Sequence, residues 1–270
     1  MFNDFIDGIA NIQMCEIIIV GEIGFHIVNF EYLSKDIKYF NQMAGITISL
    51  KQMDRPAEAS DSFFWGHPFV PEKFDYPFYD LHIEQDGSTT PLQESSDCGS
   101  QENSMFPMTL IAQINCEQAS RYDTSKLLPE KGFLYFFANI DYFLDSGDYC
   151  EGLGEWREQS IKIYYSDVEA SALKPMQVFD EDIRPYGIDF GYESSHQVED
   201  GHKLLGLPYD YDEVSEHFGH DWVLLFQLDS DETEDFNLRF FDMGTLYFMV
   251  ERKRLKKRDF SNVKAYLTSL

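Results

Sequence analysis

Two blocks of this chain occur twice, and that repetition limits the fold more than any other feature of the sequence. MTLIAQINCE (108–117) superposes on WVLLFQLDSD (222–231), which sets Gln113 on Gln227. Downstream, GFLYFF (132–137) superposes on GTLYFM (244–249), which sets Tyr135 on Tyr247. The glutamines are 227 − 113 = 114 residues apart and the glycines 244 − 132 = 112. Upstream, WGHP (65–68) matches LGLP (205–208) more loosely, because a polar stretch at 84–104 breaks the spacing in the first copy. Blocks in the same order at nearly constant offset indicate a duplicated unit. It comprises a Gly-x-Pro turn, a strand with a central glutamine, a connection, and an aromatic strand opening with glycine. So long a period is not that of a solenoid of small repeats. The expectation is one compact body over 1–270. Two halves (about 46–140 and 200–255) would pack around a shared sheet or pair of sheets, with an N-terminal extension at 1–45.

Local patterns favour strands. ITISLKQMD (46–54) and SIKIYYSD (160–167) alternate apolar and polar residues, as half-buried strands do. The two repeated blocks are nearly continuous apolar runs, the pattern of strands covered on both faces. FFWGHPFVPEKFDYPFYD (63–80) has three prolines and reads as an irregular segment or edge strand. Residues 84–104 have too few apolar side chains to bury and read as a surface loop. Residues 180–200, acidic with Gly and Pro, also read as loop. YDEVSEHFG (211–219) reads as a short helix. Phe260, Val263 and Leu267 fall at i, i+3, i+7, so an amphipathic C-terminal helix is expected over 258–270, capped by Asp259 or Ser261. Helices do not alternate regularly with strands, so a doubly wound sheet is disfavoured. The fold class is α+β: mainly antiparallel β with peripheral helices and an internal duplication.

Charge bears on partners. Lys and Arg number 21 against 48 Asp and Glu, a net charge of −27. Residues 141–235 hold 25 acids and 5 bases, whereas 251–270 hold seven bases and two acids. Such a chain repels phosphate backbones and anionic lipid, so neither nucleic acid nor membrane is the expected partner. A basic protein is the electrostatically favoured one. The start of the chain is acidic, and no run approaches the roughly 20 apolar residues of a membrane span. The expected location is the cytoplasm, with Cys15, Cys98, Cys116 and Cys150 reduced. Oligomeric state is not legible.

No motif names a reaction. G-x-S-x-G, the phosphate-binding P-loop and G-x-G-x-x-G are absent, and no Cys/His spacing resembles a zinc site. Catalytic residues, cofactor and metal are therefore expected to be none. The acids after the second glutamine strand do not fit a calcium loop, since Glu234 and Phe240 stand where Gly and Glu are needed. His217 and His220, three apart, read as surface histidines. The basic run 252–258 reads as a stripe complementing the protein's own acids. Candidates for contact with a ligand or partner are Gln113, Gln227, Tyr135, Tyr247, Trp222, Asp229, Asp231 and Glu232. The glutamines lie on the solvent face, bind backbone as internal pins, or line a cleft between the halves; the acids end a solvated strand, face a partner, or hold a cation.

PMTLIAQIN, LLPEKGFLYFF, HKLLGLP, WVLLFQLDSD and LYFMVERKRLKKRDFSNV together resemble the YwqG-like family of bacterial proteins, over roughly residues 46–270. The resemblance implies an α+β body with internal duplication and no established catalytic residues. It also suggests an immunity-type role, in which acids near 141–151 and 229–235 would block a basic toxin domain. The alternative is a small-molecule or metal-binding protein, or an enzyme, with the ligand held between the halves. Two turns depart from the family pattern. Ser62–Gly66 stands where relatives carry Lys-Gly-Gly, and Phe240-Phe241-Asp242 where they carry Trp-Gly-Asp.

Overall fold

The structure is a computed structural model that describes residues 18–21, 24–27, 44–80, 105–140, 150–178, 183–193, 200–232 and 237–269. The loop expected at 84–104, most of the extension before 45, and the acids at 141–149 and 233–236 lie outside these residues. The chain divides into two units, Met1–Met43 and Ala44–Leu270. In the first, Ile18–Gly21 and Gly24–Ile27 pair as an antiparallel hairpin.

The second unit is built on one eleven-stranded antiparallel sheet. Its strands are β1 (Ile46–Gln52), β2 (Phe63–Phe64), β3 (Thr109–Asn115), β4 (Phe133–Ala138), β5 (Gly154–Glu155) and β6 (Ile161–Ser166), then β7 (Tyr186–Tyr192), β8 (Lys203–Leu204), β9 (Trp222–Asp229), β10 (Thr245–Glu251) and β11 (Val263–Thr268). Three short helices accompany them: α1 (Cys116–Ala119), α2 (Tyr211–Phe218) and α3 (Arg252–Leu255).

The order across the sheet is β5–β11–β10–β9–β8–β1–β7–β2–β3–β4–β6. Outward from the central β1/β7 pair, the sequences β8–β9–β10–β11 and β2–β3–β4–β6 mirror one another. Each copy thus contributes five strands: β1, β2, β3, β4, β6 and then β7, β8, β9, β10, β11. The first strand of each copy lies with the other copy, because β1 pairs with β8 and β7 pairs with β2. This exchange ties the halves together through backbone hydrogen bonds. Corresponding contacts repeat in detail: Ile48 N donates to His202 O (2.8 Å) and Ile188 N donates to Ser62 O (3.1 Å). A register shift occurs at Ile111 in β3 and at Leu225 in β9, and these carbonyls accept from Trp65 N and Leu205 N.

One face of the sheet closes on itself. Phe136 lies 4.8 Å from Phe226 and 5.6 Å from Phe248 between ring centroids, and Phe64 lies 5.8 Å from Phe226. These four fully buried rings come from both halves. The sheet curls until Tyr165 of edge strand β6 stands 5.9 Å from Phe260, just before β11. The other face carries a separate cover on each half. Segments around 53–80 and 164–178 pack over Leu110, Tyr135 and Phe137 of the first, and α2 packs over Leu224, Tyr247 and Met249 of the second.

Two expectations need correction. Residues 180–200 contain a strand, β7, at the centre of the sheet. Gly187 and Gly191 suggested turns, but Lys51 and Met53 pack over Gly187, and the side chain of Thr47 fills the space over Gly191. The chain end is strand β11 rather than a helix. Val263, Ala265 and Leu267 are buried while Lys264 and Tyr266 are less so, a period of two that aligns with β10. The i, i+3, i+7 spacing coincided with that alternation. Asp259 accordingly caps no helix; its Oδ1 accepts from Ser261 N in a local turn.

Candidate functional site

The repeated glutamines and tyrosines do one structural job twice. Gln113 and Tyr135 are cross-strand neighbours, as are Gln227 and Tyr247. All four are fully buried. Gln113 Oε1 accepts from Phe69 N (2.8 Å), and its Nε2 donates to Asp61 O (3.2 Å) and Ala59 O (3.3 Å). Gln227 Oε1 accepts from Tyr209 N (3.0 Å), and its Nε2 donates to Gly201 O (2.8 Å). Phe69 and Tyr209 are the residues that follow the two Gly-x-Pro turns. Tyr135 OH donates to Phe69 O (2.8 Å), and Tyr247 OH donates to Asp210 Oδ2 (2.8 Å). Burial pushes both phenols far above their ordinary pKa, with the Asp210 carboxyl adding to the effect at Tyr247. They therefore stay protonated as donors. The turns need such pins because Trp65 and Leu205 both hold positive φ (59° and 57°) ahead of Gly66 and Gly206, a conformation that costs a bulky residue energy.

Neighbouring residues of a strand face opposite sides of the sheet. Gln113 and Gln227 therefore point away from the junction that Phe136 and Phe226 fill, each beneath its own half's cover. Among the described residues, aromatic rings rather than these glutamines fill the junction between the halves.

The remaining candidates are spread over the second half. Trp222 opens β9 half-buried, 5.3 Å from Phe218 of α2. Asp229 is a local hub: its Oδ2 accepts from Gly201 N (2.7 Å), and its Oδ1 from Ser230 N (2.9 Å) and Thr245 Oγ1 (2.7 Å). Asp231 faces His202 (3.5 Å) and Glu232 faces Arg239 (3.6 Å). Glu151 is likewise engaged internally, with Arg157 and Ser160. Burial opposes its ionisation, yet those two partners hold its carboxyl below the ordinary range. In the basic run, Lys253 pairs with Glu251 (2.6 Å) and Arg254 with Asp259 (2.7 Å).

A different set of acids does gather. Asp212, Glu213 and Glu216 project from the exposed side of α2, and Glu155 and Glu158 from β5 and the turn after it. Contacts join the two groups. His217 Nε2 lies 2.7 Å from Glu155 Oε2, Tyr266 OH donates to Glu213 Oε1 (3.1 Å), and Lys264 Nζ lies 2.7 Å from Glu158 and 3.6 Å from Glu155. Hydrogen bonding to Glu158 holds the Lys264 ammonium above its ordinary pKa. Glu155, Glu158 and Glu213 are thus linked through Lys264, His217 and Tyr266, and Asp212 and Glu216 are exposed on the same helix as Glu213. Sequence reasoning missed this face because its two halves are more than fifty residues apart, and the strand β11 that links them was read as helix.

Among the described residues, no group of three or more His, Cys, Asp or Glu is placed to hold a metal ion. No described helix is long and apolar enough to cross a membrane. Cys116 is a free thiol, and burial pushes it up to about 12.

The model of a family described as a domain of unknown function, DUF1963, matches residues 62–185 and again 155–268. The chain belongs to that family. The two matches fall on the two structural copies and overlap across β6, so the repeat seen in the strands is a repeat of the family domain itself. Compared with functionally curated proteins, the chain has no match.

Proposed function

We propose that this DUF1963 protein is a non-enzymatic binding module that docks a basic protein on the acidic face made by α2, β5 and β11. The observation that carries this reading is that Glu155 and Glu158, which share Lys264, are joined to α2 through His217 with Glu155 and through Tyr266 with Glu213, while α2 also exposes Asp212 and Glu216. Most of these carboxylates are exposed and reach solvent. The surrounding charge of −27 adds long-range attraction, which raises the rate of encounter and makes it salt-dependent. Tyr209, 49% exposed, precedes α2, and Leu153, 62% exposed, precedes β5. Each offers apolar contact beside the charge. A basic toxin domain, as the YwqG-like resemblance suggests, is the partner class of greatest interest.

The test separates this face from net charge alone. The full chain captures basic proteins from lysate of its own cell, and these elute with salt. Reversal of three acids here (Glu155→Lys, Glu213→Lys, Glu216→Lys) is compared with reversal of three exposed acids on the other half (Asp54→Lys, Glu72→Lys, Glu130→Lys). Loss of the captured partner with the first set and retention with the second supports the reading. Equal loss with both refutes it.

A further inference from the structure

We infer that the free edge of β7 accepts an extended acidic peptide as an added strand. This site is distinct from the acidic face, has lining of the opposite sign, and does not depend on it.

The edge is open because of how the first copy is pinned. β2 pairs with β7 at Tyr186 and Gly187 alone, and the last bond runs from Ile188 N to Ser62 O. Before Ser62 the chain is drawn away toward β3 and α1. Gln113 holds Ala59 O and Asp61 O, while Asn115 Nδ2 and Gln118 Nε2 both donate to Ser60 O (2.8 and 3.1 Å). Ser62 Oγ donates to Gln118 Oε1 and accepts from Asn115 N. Among the described residues, no strand pairs with the rest of β7, as far as Tyr192, on that side.

Backbone direction along a strand alternates. Ile188 N points toward β2, and Glu193 N points the other way, to Gly45 O on the β1 side (3.1 Å). Phe190 and Tyr192 therefore present their N–H groups to the open side. Among the described residues, no strand takes them up there.

A groove of about 350 Å³ lies in that place. The Tyr122 ring flanks it, 6.2 Å from Phe190 and 5.0 Å from Tyr192, and Tyr192 OH donates to Arg121 O (3.3 Å) at its far end. Its lining includes Lys51, Arg55 and Arg121 against Asp61 and Asp189, an excess of one positive charge in a chain of −27; Arg55 is paired with Asp61 (2.7 Å), and Arg121 with the exposed Glu117 (3.0 Å). Lys51 and Asp189 pair at 2.5 Å, but both side chains are more than half exposed (56% and 63%). An exposed pair of this kind is weak, so the lysine can turn to a ligand carboxylate at little cost. Main-chain donors in register with flanking cations suit a short extended peptide carrying acidic side chains.

Fluorescently labelled Val-Glu-Val-Glu-Val-Glu and its Val-Lys counterpart serve as probes for anisotropy with the full chain at low salt. Amide exchange read by mass spectrometry or NMR follows residues 188–192. The expected result is that the Glu peptide binds, and that it slows exchange at Phe190 and Tyr192. The Lys51→Glu, Arg121→Glu double variant should then weaken binding by about tenfold or more. Phe190→Pro, which deletes the edge-facing donor, should abolish binding; if that variant fails to fold, the double charge variant decides. The net charge alone favours the Lys peptide. No binding of the Glu peptide at millimolar concentration, or binding that leaves residues 188–192 unprotected, would overturn the inference.

Discussion

Replacing Gln113 with leucine tests whether the repeated glutamines hold the fold or serve a ligand. The substitution keeps size and burial but removes three hydrogen bonds to main chain. Phe69 N–H loses its acceptor beneath the cover of the first half, and an orphaned buried donor costs about 1–3 kcal/mol. The carbonyls of Ala59 and Asp61 are half-buried and bonded at 3.2–3.3 Å, so part of their loss is recovered by water. The expected destabilisation is about 2–4 kcal/mol, measured by urea unfolding with an unchanged slope. For a body of this size that lowers the melting temperature by roughly 5–15 °C. Gln113→Glu separates hydrogen bonding from shape. One carboxylate oxygen still accepts from Phe69 N, but the other faces the two carbonyls as a second acceptor. That variant is least stable at neutral pH. It recovers as acid protonates the carboxyl, whose folded pKa is raised by burial and by those carbonyls, and a hydroxyl can again donate. A Gln113→Leu protein within about 0.5 kcal/mol of the parent would refute the pinning argument, as would a Gln113→Glu protein indifferent to pH.

Three further outcomes follow from contacts in the second half and at β5. Lys203, fully buried, lies 2.7 Å from Glu193, so Lys203→Met or Glu193→Gln alone should cost about 3–5 kcal/mol, while the double Lys203→Met, Glu193→Leu variant recovers most of it in urea unfolding. Gly206→Ala would set a Cβ 2.5 Å from Glu193 Oε2 and 2.8 Å from Gly45 Cα at φ +77°, and should cost clearly more than Gly219→Ala. Gly219 has nearly the same φ and nothing within 4 Å, so its change costs only the backbone penalty of about 1–3 kcal/mol; equal melting temperatures would contradict the close approach. The Glu151 carboxyl sits below its ordinary pKa of 4.5 when folded, so its stabilisation is full above 4.5 and is lost as pH falls from there through the lower folded value. Glu151→Gln should therefore be less stable than the parent at pH 7, and the gap should narrow steadily as pH falls below 4.5, by thermal melts across that range.

Legibility in the sequence followed how far a pattern was set by its own residues. β3, β4, β9 and β10 were readable because both faces are buried and because a rare feature, a glutamine and a tyrosine inside apolar strands, recurs in the same order. The duplication followed from that recurrence. The offset of 205 − 65 = 140 at the upstream turns, against 114 at the glutamines, reflects extra residues between turn and strand in the first copy. β7 was not readable: Gly187, Asp189 and Gly191 form a strand only because β1 and β2 flank them. β11 was ambiguous, since five or six residues satisfy periods of 2 and 3.6 almost equally. The acids near 229–232 looked like a displayed cluster. Asp229, Asp231 and Glu232 instead have partners on their own chain, which a linear pattern cannot reveal.

Duplication explains why the two copies share a core and differ on their outer surfaces. The two copies need the same inner rings, the same bulge and the same glutamine–tyrosine pin, because the exchanged strands β1 and β7 lock their backbones into one sheet. The outer faces are under no such constraint. The first copy covers its face with an irregular, proline-rich segment, and the pins that draw this segment aside expose the β7 edge among Lys51, Arg55 and Arg121. The second copy covers the corresponding face with α2, whose outward residues Asp212, Glu213 and Glu216 need only be soluble. His217 of the same helix meets Glu155 because β5 adds to the sheet beside β11. If binding is the function, it has diverged on the two covers while the repeated core stayed fixed. Mutations in the pins should then alter stability on both halves alike, and mutations in the covers should alter partner choice on one.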